Sequence, residues 1–219
     1  MEILLTEFAD VSPLADDGLF ARAMERVPGW RRAKVRRLRR PESRRLSLGA
    51  SLLLARAMKA ADVPLDAEIA FDTRGKPFYP DFPGFRFSLS HSGERALCAS
   101  SPREVGCDIQ KVDPSRLKNR RLVARAIGAE SLPFFDGMDE ERRVRAFFAA
   151  WGMDEALFKL DGTRPSGHSP ETLAEFSDEG FFCAIPGHCL VVCTAFSDDE
   201  PAPDVREVDL RKILRSRKR

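Results

Sequence analysis

The sequence predicts an α+β protein, and three observations carry that prediction. Apolar residues recur at helical spacing in two stretches, one around Leu46, Leu53 and Ala57 and one around Val144, Phe147, Phe148 and Trp151. Phe85, Phe87 and Leu89 alternate with other residues at the two-residue period of a strand with one buried face. Neighbouring strand candidates are joined by tight turns, which makes them antiparallel and keeps helices apart from sheet.

In chain order, Glu2–Phe8 reads as a first strand. A basic helical stretch follows Pro28-Gly29 and is broken by Pro41; Ser43 then caps a second helix that runs to about Ala60 and ends at Val63-Pro64. Thr73–Pro77 is a loop, and Tyr79–Gly84 is dense with turn formers. Phe85–Ser90 is a strand with its odd-numbered side chains in the core, and Ser92-Gly93-Glu94 turns it into an antiparallel partner, Ala96–Ala99. A third strand, Val105–Ile109, opens a second half, so the chain divides into residues 1–102 and 103–219. Residues 114–160 are helical in character, with a long helix stopping near Asp161-Gly162. After a polar loop, Thr163–Thr172, the segments Phe181–Ile185 and Cys189–Phe196 about Pro186-Gly187 read as a closing hairpin. The tail after Pro201 is charged and expected to be loosely held. No internal repeat or low-complexity segment is visible.

Composition narrows the function classes. With 219 residues, 43% hydrophobic and 32% charged, the chain can bury a proper core in one or two domains and is neither disordered nor fibrous. No apolar run approaches the ~20 residues of a membrane helix, and Met1–Glu7 lacks the basic-then-apolar pattern of a secretory signal, so a cytoplasmic protein without a membrane partner is expected. The five cysteines form no CxxC pair and sit in apolar stretches, which suits reduced, buried thiols. Residues 31–45 hold nine basic side chains and one acid, Glu42, a local charge of +8 against a total of +2, so the rest of the chain carries −6. Such a concentration reads either as a site for an anionic partner or as a solvated arginine-rich helix face. A nucleic-acid reading is disfavoured, because the cluster has no interleaved aromatic beyond Trp30 and the remainder is net acidic.

Three groups of residues are candidates for chemistry. Asp108 and Gln110, two apart on a strand, project from one face; beside Gly106 they offer oxygen ligands to a hard cation, or else they are a solvated strand end. Trp151, Glu155 and Lys159 share one helix stripe that extends an aromatic face, which makes Glu155 and Lys159 either a structural pair or working groups. Ser90-His91-Ser92-Gly93 ends a strand with groups that can donate to phosphate oxygens or simply form a turn. No GxSxG elbow, Walker loop, GxGxxG or zinc spacing occurs.

Taken together, Gly75-Lys76-Pro77, Phe87-Ser88-Leu89-Ser90-His91-Ser92-Gly93, Val105-Gly106-Cys107-Asp108-Ile109-Gln110 and Trp151-Gly152-Met153-Asp154-Glu155-Ala156-Leu157-Phe158-Lys159 resemble, in order and spacing, the motifs of the 4′-phosphopantetheinyl transferases. The likeness is to the two-halved, surfactin-synthetase-activating type and runs from about Arg31 to Lys159. It implies two similar α+β halves related by a pseudo-two-fold, with the site between them. It implies transfer of 4′-phosphopantetheine from coenzyme A to a serine of an acyl or peptidyl carrier protein, with release of 3′,5′-ADP. The expected form is a monomer, with Mg²⁺ (or Mn²⁺) as cofactor. By motif, Asp108 and Glu155 match metal ligands, Gln110 takes the third ligand position, and Lys159 matches the lysine beside the pyrophosphate. Glu155 and Lys159 are then the catalytic pair. Ser90, His91 and Lys76 match coenzyme A contacts; Arg45, across a one-residue gap, matches a basic one, while Arg31 and Lys34 match less well.

Two positions depart from the motifs. The family's GxDxE glutamate is Gln110 here, and the lysine before the catalytic glutamate is Asp154. Gln110 can still offer a carbonyl oxygen, but losing one negative charge weakens a Mg²⁺ site unless water or another carboxylate substitutes; Asp154 puts an anion where a cation favours phosphate, and either supplies that carboxylate or points to solvent. These changes set the alternative expectation of an impaired family member that binds coenzyme A or a carrier protein without turnover.

Overall fold

The computed structural model describes residues 5–178, 185, 187–194 and 204–215. Its order is β1 (Leu5–Asp10), α1 (Asp17–Met24), α2 (Gly29–Arg37), α3 (Pro41–Ala60), β2 (Ala70–Phe71), β3 (Pro77–Phe78), β4 (Arg86–Ser92), β5 (Arg95–Ser101), β6 (Val105–Lys111), α4 (Arg120–Ile127), α5 (Leu132–Asp136), α6 (Glu140–Asp161), α7 (Pro170–Phe176), β7 (His188–Thr194), β8 (Asp204–Glu207) and α8 (Leu210–Arg215). This is the expected mixture of helix and antiparallel sheet.

A four-stranded sheet in the order β4-β5-β1-β8 supports the first core. One face, with Phe87, Ala96, Cys98, Ala9 and Val11, takes α3 through Leu48, Leu52 and Leu53. Gly49 lets that helix lie close, since a Cβ there would stand 2.4 Å from Val11 Cγ1. The other face, with Phe8, Leu97 and Ala99, packs against Val105, Cys107 and Ile109 of β6. β6 pairs antiparallel with β7 in a second sheet, whose far side carries α6 and the cluster of Phe147, Phe148, Val123 and Ile127. Cys98, Cys107 and Cys189 are buried thiols, as expected, and burial pushes those of Cys98 and Cys107 up.

The two sheets meet at β4 and β6 in an unusual way. Ser88 Oγ accepts from the Cys107 N–H (3.0 Å), Ser90 Oγ from the Ile109 N–H (3.4 Å) and Ser92 Oγ from the Lys111 N–H (3.0 Å). Because strand side chains alternate, the run Ser-x-Ser-x-Ser aims three hydroxyls at three alternate amides of the neighbouring strand, and the paired residues are always 19 apart. Hydroxyls thereby satisfy donors that a backbone ladder would otherwise take.

Several boundaries differ from expectation. Helix α3 begins at Pro41 instead of being broken by it, because proline's fixed φ and missing N–H suit the first helical position; Ser43 lies inside the first turn and Arg40 is the cap. Helix α1, capped by Asp16 accepting from the Leu19 N–H, buries Leu19 and Ala23 one turn apart. Pro170–Phe176 is helical, with Ser169 as its cap, so the helix takes in the end of the expected loop Thr163–Thr172. Phe181–Ala184, Pro186 and Ala195-Phe196 of the expected closing hairpin lie outside the described residues; Cys189–Thr194 is a strand, as expected, and its described partner is β6.

The tail is corrected most. Residues 204–215 are bound to the core instead of loosely held: β8 lies parallel to β1, pairing Leu5 with Asp204 and Phe8 with Glu207, and α8 buries Leu210 and Leu214 in the first core. A charged segment can do this because two apolar side chains one turn apart, with backbone pairing, suffice to dock it. Among the described residues, no helix is long and apolar enough to cross a membrane.

The closest approach in the second layer is α6 over β6 at Gly106. A Cβ there would stand 1.9 Å from the Ala156 carbonyl oxygen and 2.6 Å from the Leu160 nitrogen, both backbone atoms that cannot rotate away. Gly106→Ala should therefore cost at least about 3 kcal/mol in urea unfolding, or abolish folding. Gly84→Ala, where nothing lies within 4 Å, should stay within about 0.5 kcal/mol of the parent.

Candidate active site

The seam between β4 and β6 also positions the charged residues. On β6 the odd-numbered side chains fill the core, so Gly106, Asp108 and Gln110 face α6. Helix α6 starts at Asp139, whose carboxylate accepts from the Arg142 N–H, and stops at Gly162 in the left-handed conformation, φ 88°. The contact at Gly106 brings its last turns against β6, and Lys159 then reaches over the strand.

Asp108 is 2% exposed and fully engaged. Its Oδ1 accepts from Lys159 Nζ at 2.6 Å and from the Ser90 hydroxyl at 2.6 Å; its Oδ2 accepts from Gln110 Nε2 at 2.6 Å. Lys159 Nζ also donates to Ser90 Oγ (3.0 Å) and to the Cys107 carbonyl (2.9 Å). The carboxylate has a full set of donors, one of them cationic, which is what allows a charge to remain buried. Four predicted site residues, Ser90, Asp108, Gln110 and Lys159, thus meet in one network.

The others are placed differently. Glu155, one turn before Lys159, is partly exposed, and its Oε1 lies 4.0 Å from Arg164 Nη1. Lys76 spends its ammonium on protein oxygens: Glu104 Oε2 (2.7 Å) and the carbonyls of Val105 and Leu160 (each 3.0 Å). It thereby clamps the β2–β3 turn to β6 and to the end of α6. Arg45 stands 3.6 Å from Glu42 and is absent from the walls of the main cavity. Asp154 turns aside to His168, with Oδ1 3.0 Å from Nε2, and that ring packs edge-on against Phe176.

Beside the network lies a cavity of about 680 Å³ between α2, the β2–β3 turn, β4 and the end of α6. Arg31, Lys34, Arg37, Arg74, Lys76 and Lys159 line it, and no acidic residue does among those described. Its apolar wall includes Trp30, Phe71, Phe87 and Phe158. Lys159 belongs to both the cavity and the Asp108 network. Arg31 is 5% exposed, bonded to Ser51 Oγ and the Ser47 carbonyl, with Trp30 5.2 Å away. Burial lowers its pKa to about 10, so it stays charged at neutral pH. The Asp72 carboxylate shapes the β2–β3 turn by accepting the N–H groups of Arg74 and Lys76, with Gly75 at φ 81°. Of the lining cations, Arg74 was not anticipated; it comes from a separate turn and carries no mark in the 31–45 charge run. Arg31 and Lys34, which match the motifs less well than Arg45, are the ones the structure puts here.

Among the described residues no three His, Cys, Asp or Glu side chains cluster. Asp108 nonetheless already compensates a cation, the Lys159 ammonium, at a buried oxygen, and Gln110 carries a carbonyl oxygen on the amide that now donates. Asp108, Gln110 and Glu155 each carry an oxygen of the kind a hard ion takes, and in this structure Asp108 is engaged by Lys159, Gln110 by Asp108 through its amide nitrogen, and Glu155 lies beside Arg164.

No family model matches the sequence. Among curated proteins the chain is 26% identical over 203 residues to the 4′-phosphopantetheinyl transferase Sfp of Bacillus subtilis (strain 168), covering 81% of this chain and 86% of that protein. It is 37% identical over 162 residues to the 4′-phosphopantetheinyl transferase AcpT of Salmonella typhimurium, covering 67% of this chain and 74% of that protein. To the AcpT of Escherichia coli (strain K12) it is 34% identical over 161 residues, 72% of this chain and 81% of that protein.

His91 reports on the cavity's field. Desolvation, followed by the nearby charges of Arg31, Lys159 and Lys34, lowers its pKa below the ordinary 6.5. The unfolded chain therefore takes up this proton first, and the fold loses stability as pH falls through 6.5 toward the lowered value. An NMR titration, with His91→Gln to assign the ring, should give a pKa below 6.5 that rises when inorganic pyrophosphate is added. A value at or above 6.5 and indifferent to pyrophosphate would place the ring outside the cavity's field.

Proposed function

The chain belongs to the 4′-phosphopantetheinyl transferases, and from that premise we propose that it transfers 4′-phosphopantetheine from coenzyme A to a serine of an acyl or peptidyl carrier protein, releasing 3′,5′-ADP. The observation that carries this reading is the cavity of six cations without a lining acid, joined through Lys159 to the buried Asp108. Coenzyme A presents three phosphates, an adenine and a flexible arm. Arg31, Lys34 and Arg37 suit the phosphates, and Trp30 and Phe71, 6.2 Å apart edge to face, suit a flat ring.

The step follows from charge. The carrier serine oxygen attacks the phosphorus that bears pantetheine, the bond to the bridging oxygen breaks, and the 3′,5′-ADP leaves with that oxygen. Glu155 accepts the serine proton. Lys159 already divides its ammonium among three oxygens, so exchanging one for a phosphate oxygen keeps positive charge where the leaving group becomes more negative. Asp108, Gln110 and Glu155 would hold Mg²⁺, which when bound lowers the charge that repels the incoming serine.

The same premise supports an architecture of two halves, residues 1–102 and 103–219, related by a pseudo-two-fold. Ser90 and His91 come from the first half, and Asp108, Glu155 and Lys159 from the second. A monomer in the cytoplasm fits this reading. The alternative of an impaired member gains no support from Asp154, whose carboxylate is occupied by His168.

Mass spectrometry of apo carrier proteins incubated with the chain, coenzyme A and Mg²⁺ tests the proposal; no pantetheine mass on a panel of acyl and peptidyl carriers would overturn it. Asp108→Asn keeps the shape and removes the charge, so turnover should fall by at least about 100-fold while the protein remains folded.

A further inference from the structure

The motif position that ordinarily supplies a lysine beside the catalytic glutamate holds Asp154, and that side chain is committed to His168, whose ring packs edge-on against Phe176. A further cation, outside the six that line the cavity, stands close to Glu155. Gly162, at φ 88°, turns the chain back at the end of α6. Residue 164 returns over the helix, where the Arg164 guanidinium carbon lies 3.7 Å from the centre of the Phe158 ring and Nη1 lies 4.0 Å from Glu155 Oε1. Phe158 is part of the cavity wall, and Arg74, one of the lining cations, comes within 3.1 Å of where a Cβ on Gly162 would stand.

We propose that Arg164 is a substrate-contacting residue that binds the pantetheine-side phosphate of coenzyme A, supplying the charge that Asp154 does not. The assignment rests on the reading of the cavity as the coenzyme A site. Stacking on Phe158 fixes the plane of the guanidinium while leaving its N–H fork free to bond, and at 4.0 Å the pairing with a partly exposed Glu155 is loose enough to be exchanged. A phosphate offers two oxygens to that fork, a geometry that a carboxylate at this distance does not yet satisfy.

Calorimetric titration of the full chain in Mg²⁺ buffer with coenzyme A, dephospho-coenzyme A and 3′,5′-ADP separates the possibilities. Arg164→Ala should weaken coenzyme A and dephospho-coenzyme A alike, each by about tenfold, and leave 3′,5′-ADP nearly unchanged, since only the last lacks the pantetheine-side phosphate. Arg164→Lys should restore part of the loss. If the parent chain binds coenzyme A but Arg164→Ala weakens all three ligands equally, or none, the role of Arg164 is wrong while the cavity reading stands. Failure of the parent chain to bind coenzyme A would overturn the cavity reading and this assignment with it.

Discussion

The architecture of the site depends on three serine hydroxyls reaching across a gap between strands. Ser88, Ser90 and Ser92 meet the amides of Cys107, Ile109 and Lys111, and that register decides which residue of β6 lies beside which residue of β4. A slip by one residue would turn Asp108 into the core and bring Cys107 to face α6. With the register held, Asp108 lies beside Ser90, and Gly106 admits the backbone of α6 so that Lys159 arrives at the carboxylate. The middle serine therefore has two duties, joining the sheets and hydrogen-bonding the buried acid. This duality explains why a residue matched to a ligand contact is itself 8% exposed.

Much of the scaffold was legible because it is locally encoded. The alternation of Phe85, Phe87 and Leu89, the stripe ending in Leu53 and Ala57, and the same-face relation of Asp108 and Gln110 need only the period of a strand or helix. What escaped depends on distant partners. The tail looks like solvent-exposed chain because its buried side chains are few, and its pairing with β1 joins residues about two hundred positions apart. For Lys76 the motif gives the residue but not the three protein oxygens that hold its ammonium at the cavity wall. Arg74 joins the cavity only because the Asp72-centred turn folds toward α2.

The basic segment divides its labour in a way that counting charges cannot reveal. Arg31 is buried and braces α3 through Ser47 and Ser51, Lys34 and Arg37 line the cavity, Arg44 lies 5.1 Å over the Phe20 ring, and Arg45 stands near Glu42. A helix that places both structural and ligand-facing cations on adjacent turns keeps its positive field fixed. Arg31 is the costliest member, since burial disfavours its charge, yet its hydrogen bonds to α3 hold α2 at the cavity's edge.

Gln110 makes physical sense in the network as it stands. A carboxylate at this position, 2.6 Å from Asp108 Oδ2, would put two negative charges against a single lysine, and one of them would have to take a proton or move away. The amide instead donates to Asp108, so the resting set of Asp108, Lys159, Ser90 and Gln110 is neutral and fully bonded. The same substitution leaves less negative charge for a divalent ion, and more of the compensation of phosphate charge must then come from side chains. On the proposed reading, the six cations in the cavity walls, with no acid among the described lining residues, supply that compensation.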